Sequence, residues 1–565
     1  MRKKENTAAV LALADRTFDL FYRCDLAAAN TGATDLSEAH IFSVTPEAVK
    51  ERGDHARQLL EEADKLEAVG VSHDDMILLG IVKYAAQIRL NEEKYYWNRF
   101  EYEPYFNNIP IYISYLSGMS LDEEKYAKAY VRLIGEMGRL CTEFRDKAEG
   151  QLQKGIVLNL RMTRDAIAMY RDQIVDDPEK SSLYPDRSRF GDLNADLYLE
   201  ECKEQIRLFS NACSEMADYL SGEYLDMAPA EIGLSRYPGG KEYYEACVKE
   251  RVTLDLTPAQ LYDLAEGYRM DVEKKMGQIR ESMGFTCSRE EFTPMIIGDP
   301  AYQIKSPDEF GKALNTCVAK MQEKMPEVFA TLIKTPCRAV QLPASMEALY
   351  ANGYYSPATP PVTYVGEYYY SGYRIETKNP MKTEPLGYHE LIPGHHYQMT
   401  LVQEQDLPGL AKVCRTTAYS EGWGEYAAVL AGDIGLYAEP LSEYGRLEMD
   451  LYLTNFITVC TGINALNIPL DEMVDRLRSY YPDFPGDMLP KQLTRVSQSL
   501  PAFAIAYKMG SVTMQSLRSE AQERLGDLFD IREFHDALLE WGSLPLWLLK
   551  EHIHWYIDKK LKDKR

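Results

Sequence analysis

The sequence predicts a mainly α-helical protein with one small β-sheet beside its functional site. Three observations carry that reading: long amphipathic stretches behind clear helix-start signals, β-branched and aromatic residues gathered in one short region, and a histidine cluster directly after it. No repeat or low-complexity linker interrupts the chain. A soft boundary near residue 250 separates an N-terminal helical region, 1–250, from a region 251–565 that holds the histidines, and one bilobed domain stays an alternative.

The elements follow in order. Residues Ala8 to Ala14 form a short apolar run that stops at Asp15 and Arg16, which reads as the start of a helix rather than a signal peptide. A helix from Pro46 has Thr45 as its N-cap and Gly70 at its end. Thr257-Pro258 repeats that grammar, with Leu261, Leu264, Tyr268 and Val272 expected on one face. Ser306-Pro307 opens another helix. Strand signals sit in "CRAVQLPA" around Val340 and in "PPVTYVGEYYYSGYRIETKN", Pro360 to Asn379. The stretch Tyr364 to Tyr370 would either pair with an extended peptide or serve as plain structural sheet. Helices resume at Tyr388, broken at "YYPDFPGDMLP" and "GSLPLW".

Composition narrows the function. With 63 Lys+Arg against 87 Asp+Glu, the 565-residue chain carries a net charge of −24, which repels nucleic acid and anionic membrane surfaces. No apolar run is long enough to span a bilayer, so membrane insertion is not expected. Ten scattered cysteines without a C-x-x-C suit reduced, buried thiols and a cytoplasmic location, although a leader removed from a longer precursor is compatible with the same sequence.

The chemistry lies in "GYHELIPGHHYQM", Gly387 to Met399. His389-Glu390 opens as a zinc-binding helix does, but Pro393 stands where a second histidine would, and His395 and His396 come late. A catalytic zinc takes three protein ligands and keeps one open position. Residues six apart on a regular helix are rotated by roughly 240°, so their side chains cannot share an ion. A bulge or broken turn at Pro393-Gly394 would return His395 to the face of His389; otherwise the pair simply ends one helix, and the histidines decorate the next. Downstream, "TTAYSEGWGEYAAVL" sets Glu421 and Glu425 in an apolar helix, where buried carboxylates need a partner or a metal. Glu421 is the candidate third ligand, and Glu425 either supports a ligand or faces outward as an ion-pair partner.

These motifs resemble the bacterial family of domain of unknown function 885, itself similar to gluzincin metallopeptidases. The family's H-E-x-x-P-G-H-H matches His389, Glu390, Pro393, Gly394, His395 and His396, and its E-G-W matches Glu421, Gly422 and Trp423. Weaker likeness runs through "YYSP" at Tyr354 and the C-terminal stretch with Phe534-His535. Gly394-His395 is similar to the G-H ending of the oligopeptidase zinc motif, which favours His395 over His396 as the second ligand. Where the family has D-T-G-x-H, this chain has Cys460 and Asn464.

The resemblance implies a helical, zincin-like (gluzincin-type) architecture and a metallopeptidase holding Zn2+ through His389, His395 and Glu421. Glu390 would be the general base, and Tyr507, with His535 second, the donor to a developing oxyanion. The substrate expected is a peptide or small amide. The alternatives are a metal-binding scaffold that lost turnover, for which Cys460 and Asn464 speak, and a zinc hydrolase of a non-peptide amide or ester.

Overall fold

The computed structural model describes residues 6–29, 34–106, 108–347, 353–358, 363–437, 439–481 and 486–563. It is mainly helical, with one three-stranded sheet among these residues.

The predicted caps form as the local chemistry requires. The Thr45 side chain accepts from the Ala48 amide ahead of helix Pro46–Ala68, and Gly70 beyond its end takes a positive φ of 82°. Thr257 and Gln260 close a reciprocal capping box at helix Pro258–Ser282. That helix buries Leu261, Ala265, Val272 and Met276, whereas Leu264 is exposed, so its buried stripe is narrower than the spacing suggested. Ser306 caps helix Pro307–Val328.

Among the described residues, two large apolar cores and three smaller ones organise the helices. One of the large cores is built wholly from residues 26–224, around helices Glu124–Leu152 and Ala195–Ser221. The other joins the N-terminal helices Pro46–Ala68 and His73–Lys94 to helix Pro307–Val328, the histidine segment and the C-terminal helix Leu546–Asp563. The segment that carries the histidines is therefore packed on both sides by elements distant in sequence.

The sheet comprises β1 (Cys337–Gln341), β2 (Tyr354–Ser356) and β3 (Gly366–Tyr370), in the order β1–β3–β2. β1 runs parallel to β3, with Cys337 opposite Gly366, and β2 runs antiparallel to it, with Tyr354 opposite Tyr369. Two expectations change here. Strand signal was assigned through to Asn379, but the chain leaves the sheet after Tyr370 and coils into short 3-10 turns; Pro360 to Val362 lie outside the described residues. β3 is also the central strand, hydrogen-bonded on both sides, so Tyr364 to Tyr370 has no free edge for a peptide. Among the described residues, the edge strand next to the cleft is β2, three residues long, within the "YYSP" stretch.

Candidate metal centre

The helix carrying His389 spans Thr383–Glu390 and stops there. Leu391 to Gly394 form a turn that contains a cis Ile392–Pro393 peptide, and a second helix, His395–Glu404, begins at once. The turn is tight enough to demand glycine: a β-carbon on Gly394 would fall 1.8 Å from the His389 carbonyl oxygen. Of the two readings of Pro-Gly, the structure has the broken turn, and it folds His395 back against His389. The two imidazoles meet edge to face with centroids 4.7 Å apart.

Glu421 arrives from helix Thr417–Asp433. Its Oε2 lies 3.4 Å from His395 Nε2 and 3.7 Å from His389 Nε2, and ligand atoms of the three residues all fall within 4.8 Å of one another. Donors about 2.0–2.2 Å from one ion at tetrahedral angles stand roughly 3.4 Å apart, so the donor set fits a zinc ion. Burial alone would raise the Glu421 carboxyl, but His395 and His389 hold it well below the usual carboxylate range.

Each residue of the stretch "EGWGE" has a place in this arrangement. Gly422 lets its helix cross helix Phe503–Leu525 at Gly510, where a β-carbon on Gly422 would come within 2.4 Å of the Gly510 α-carbon. Trp423 is fully buried and donates its indole N–H to the Pro393 carbonyl at 2.9 Å, fastening the turn between the histidines. Gly424 supports the His389 ring; a β-carbon there would meet ring atoms at 2.7–2.9 Å. Glu425 is buried and turned inward, with Oε1 3.1 Å from His389 Nδ1, at an angle short of a formed hydrogen bond. Carboxylates at this place behind a metal-binding histidine fix its tautomer and ring orientation.

Glu390 and Tyr507 line the same cleft, a cavity of about 1350 Å³ shared with His389, His395, Glu421 and Glu425. Burial raises the Glu390 carboxyl above its ordinary value, against the pull of His395 and His389. Burial and the charges of Glu421 and Glu390 keep the Tyr507 phenol protonated, hence a hydrogen-bond donor. The close crossing at Gly422 and Gly510 is what brings Tyr507, three residues before Gly510, to Glu421.

Other sequence candidates lie elsewhere. His396 is fully buried between Thr335 O (Nε2, 3.0 Å) and the Tyr355 hydroxyl (Nδ1, 2.8 Å), so it ties the second histidine helix to the sheet. His535, the second choice for an oxyanion donor, is fully buried with Nδ1 on Val328 O and Nε2 on the Tyr426 hydroxyl, both at 2.8 Å. It does not line the cleft, and burial lowers its pKa to about 3. Cys460 and Asn464 are also fully buried away from the cleft. Cys460 points its thiol at Val496 O, and Asn464 bonds Leu234 N, Gln498 and Ser497 O. They brace helix Pro440–Asn464 against its neighbours.

Sequence reasoning missed Arg415 and assigned Tyr355 no role, although both line the cleft. A tyrosine among 40 and an arginine in a connecting segment carry no spacing signal.

The comparisons agree with this fold. The model of a family described as bacterial protein of unknown function (DUF885) matches residues 26–553, and the chain belongs to that family. A Colwellia psychrerythraea protein of known crystal structure, provisionally assigned as a lipoprotein, is similar over 97% of this chain and 99% of its own, with 19% identity and a TM-score of 0.84. A Shewanella oneidensis protein of unknown function, provisionally assigned in the same way, covers 96% and 98% at 15% identity and a TM-score of 0.71. No curated protein matches. Among the described residues, no helix is long and apolar enough to cross a membrane.

Proposed function

We propose that this protein is a gluzincin-type zinc hydrolase that cleaves peptide amide bonds. The observation that carries the reading is the convergence of His389, His395 and Glu421 at ligand spacing, with Glu390 on the same cleft wall. Bound zinc would supply a Lewis acid and a water of lowered pKa. The protein's own groups account for the rest. Glu390 takes the proton from the attacking water and passes it to the leaving amine. Tyr507 donates to the oxygen that gains charge as the carbonyl turns tetrahedral. Glu425 and Gly424 hold the His389 ring in place. The β2 edge beside Tyr355 offers backbone groups for an extended substrate.

The scaffold alternative rested on Cys460 and Asn464, which lie outside the cleft with satisfied partners. A non-peptide amide or ester would meet the same catalytic groups. Location is proposed from the thiols alone: ten free cysteines suit a reducing compartment, whereas both structural neighbours are assigned as lipoproteins. Fractionation of the native cell decides between cytoplasm and envelope. The function itself is tested by digesting a short-peptide library with the zinc-loaded protein. Discrete cleavage that a chelator stops and zinc restores is the expected result; intact peptides and a cleaved ester panel would move the substrate class.

A further inference from the structure

The cleft holds one feature that metal binding does not use. Five glutamates line it, Glu390, Glu421 and Glu425 around the histidines and Glu376 and Glu448 further out, in a protein of net charge −24. A peptide's free α-carboxylate would be repelled from such a site unless a cation were kept for it. The lining has five cations, and four have interactions of their own: Arg289 pairs with Glu290 at 3.0 Å and bonds Ser479 O, Lys382 lies 4.0 Å from Glu448, Lys378 sits over the Phe310 ring, and Arg374 is not free. Arg415 is the fifth. Among the described residues its side chain makes no ion pair and no hydrogen bond, and its titratable neighbours are Tyr115 and Tyr355.

Arg415 is open on its surface, yet burial draws its pKa down. Its place in the cleft wall comes from the residues that line the cavity. Tyr355 beside it is held by His396 at 2.8 Å. Guanidinium is the group whose planar fork matches a carboxylate with two parallel hydrogen bonds, and leaving it unpaired in a lined cavity stabilises nothing.

Its position sets the reading frame. Arg415 stands two residues before helix Thr417–Asp433, and Thr417, Ser420, Glu421 and Glu425 of that helix line the same cleft. From Arg415 to Glu421, two extended steps and four helical ones, the backbone reaches at most roughly 13 Å, so Arg415 lies within a few residues of extended peptide from the candidate ligands.

We infer that Arg415 is a specificity residue that binds the free α-carboxylate of a peptide substrate, so that the enzyme releases one to three residues from the C-terminus. This rests on the hydrolase reading of the same cleft. It predicts a substrate class, short peptides with an unblocked C-terminus, and excludes internal cleavage of long chains as the main reaction.

The test compares tetra-alanine as free acid and as C-terminal amide, with cleavage and binding measured separately. For cleavage, the zinc-loaded parent is expected to prefer the acid by roughly 10–100-fold in kcat/KM. Arg415→Ala should bring the ratio towards one, and Arg415→Lys should keep part of it. Equal cleavage of acid and amide by the parent overturns the inference and leaves the hydrolase reading standing. For binding, zinc-loaded Glu390→Gln protein is titrated with both peptides by calorimetry, with and without Arg415→Ala added. If no peptide is cleaved but the acid binds tighter and the added substitution removes the difference, the carboxylate site stands and the hydrolase reading falls. If binding shows no difference either, both fall. Circular dichroism and melting of each variant separate a lost contact from a lost fold.

Discussion

Two cavities on this molecule share walls yet differ in how their charges are spent. The smaller, of about 800 Å³, is lined by Arg446, Asp450, Lys508 and Arg518. Its three partly or fully buried cations are matched, Arg446 with Glu443 at 2.6 Å, Lys508 with Asp450 and Arg518 with Asp433 at 2.8 Å, while the fourth, Lys275, is exposed. The larger holds two histidines and three glutamates crowded together, with Arg415 unpaired at its side. Matched charges brace packed helices, whereas crowded acids and unpaired cations leave a need that a metal or ligand can fill. On the proposed function, the difference separates a structural pocket from a working one, although helix Phe503–Leu525 contributes Tyr507 to one and Lys508 to the other.

The comparison breaks first at Glu390. Glu390→Gln keeps the shape of the cleft but removes the base, and peptide hydrolysis is expected to fall at least about 10³-fold with zinc retained. Parent-like turnover in that variant would remove Glu390 from the chemistry. In the other cavity, Asp450→Asn deprives both Lys508 and Arg446 of a carboxylate. A stability loss of about 2–4 kcal/mol in a denaturant titration is expected, with zinc content unchanged.

Smaller effects sharpen the contrast. Glu425→Gln weakens the support behind His389, and a chelator competition should show zinc affinity reduced about 10–100-fold. Gly424→Ala should fall in the same range, because its methyl group meets the His389 ring. The smallest effect is a pH dependence from His535, a histidine outside both cavities. Its folded pKa, lowered to about 3, lies below the unfolded value, so between pH 3 and about 6.5 the unfolded chain binds more protons. The stability contribution is complete above the unfolded pKa and is lost as pH falls. Its share is about 1 kcal/mol between pH 7 and 5.5, read as a shift in denaturation midpoint.

What was legible in the sequence was local. Caps at Thr45, Thr257 and Ser306 depend on residues within one turn, and all three formed. The spacing anomaly at Pro393-Gly394 carried its own geometric demand, which the broken turn satisfies. What stayed hidden depends on helices far apart in sequence. Trp423 reads as a core aromatic until its indole is seen on the Pro393 carbonyl, and Gly424 has no local reason to be glycine. Cys460 and Asn464 drew attention as departures from a pattern, but their partners at Val496, Leu234 and Ser497 belong to packing. β2 was missed because three residues give too short an alternation to read.

Metal content of the purified protein bears most directly on whether His389, His395 and Glu421 act as one set of ligands. One zinc per chain is predicted for the parent and for Glu390→Gln, with near-complete loss in His389→Ala and Glu421→Ala variants that still fold. Undiminished zinc in either of those two variants would contradict the account.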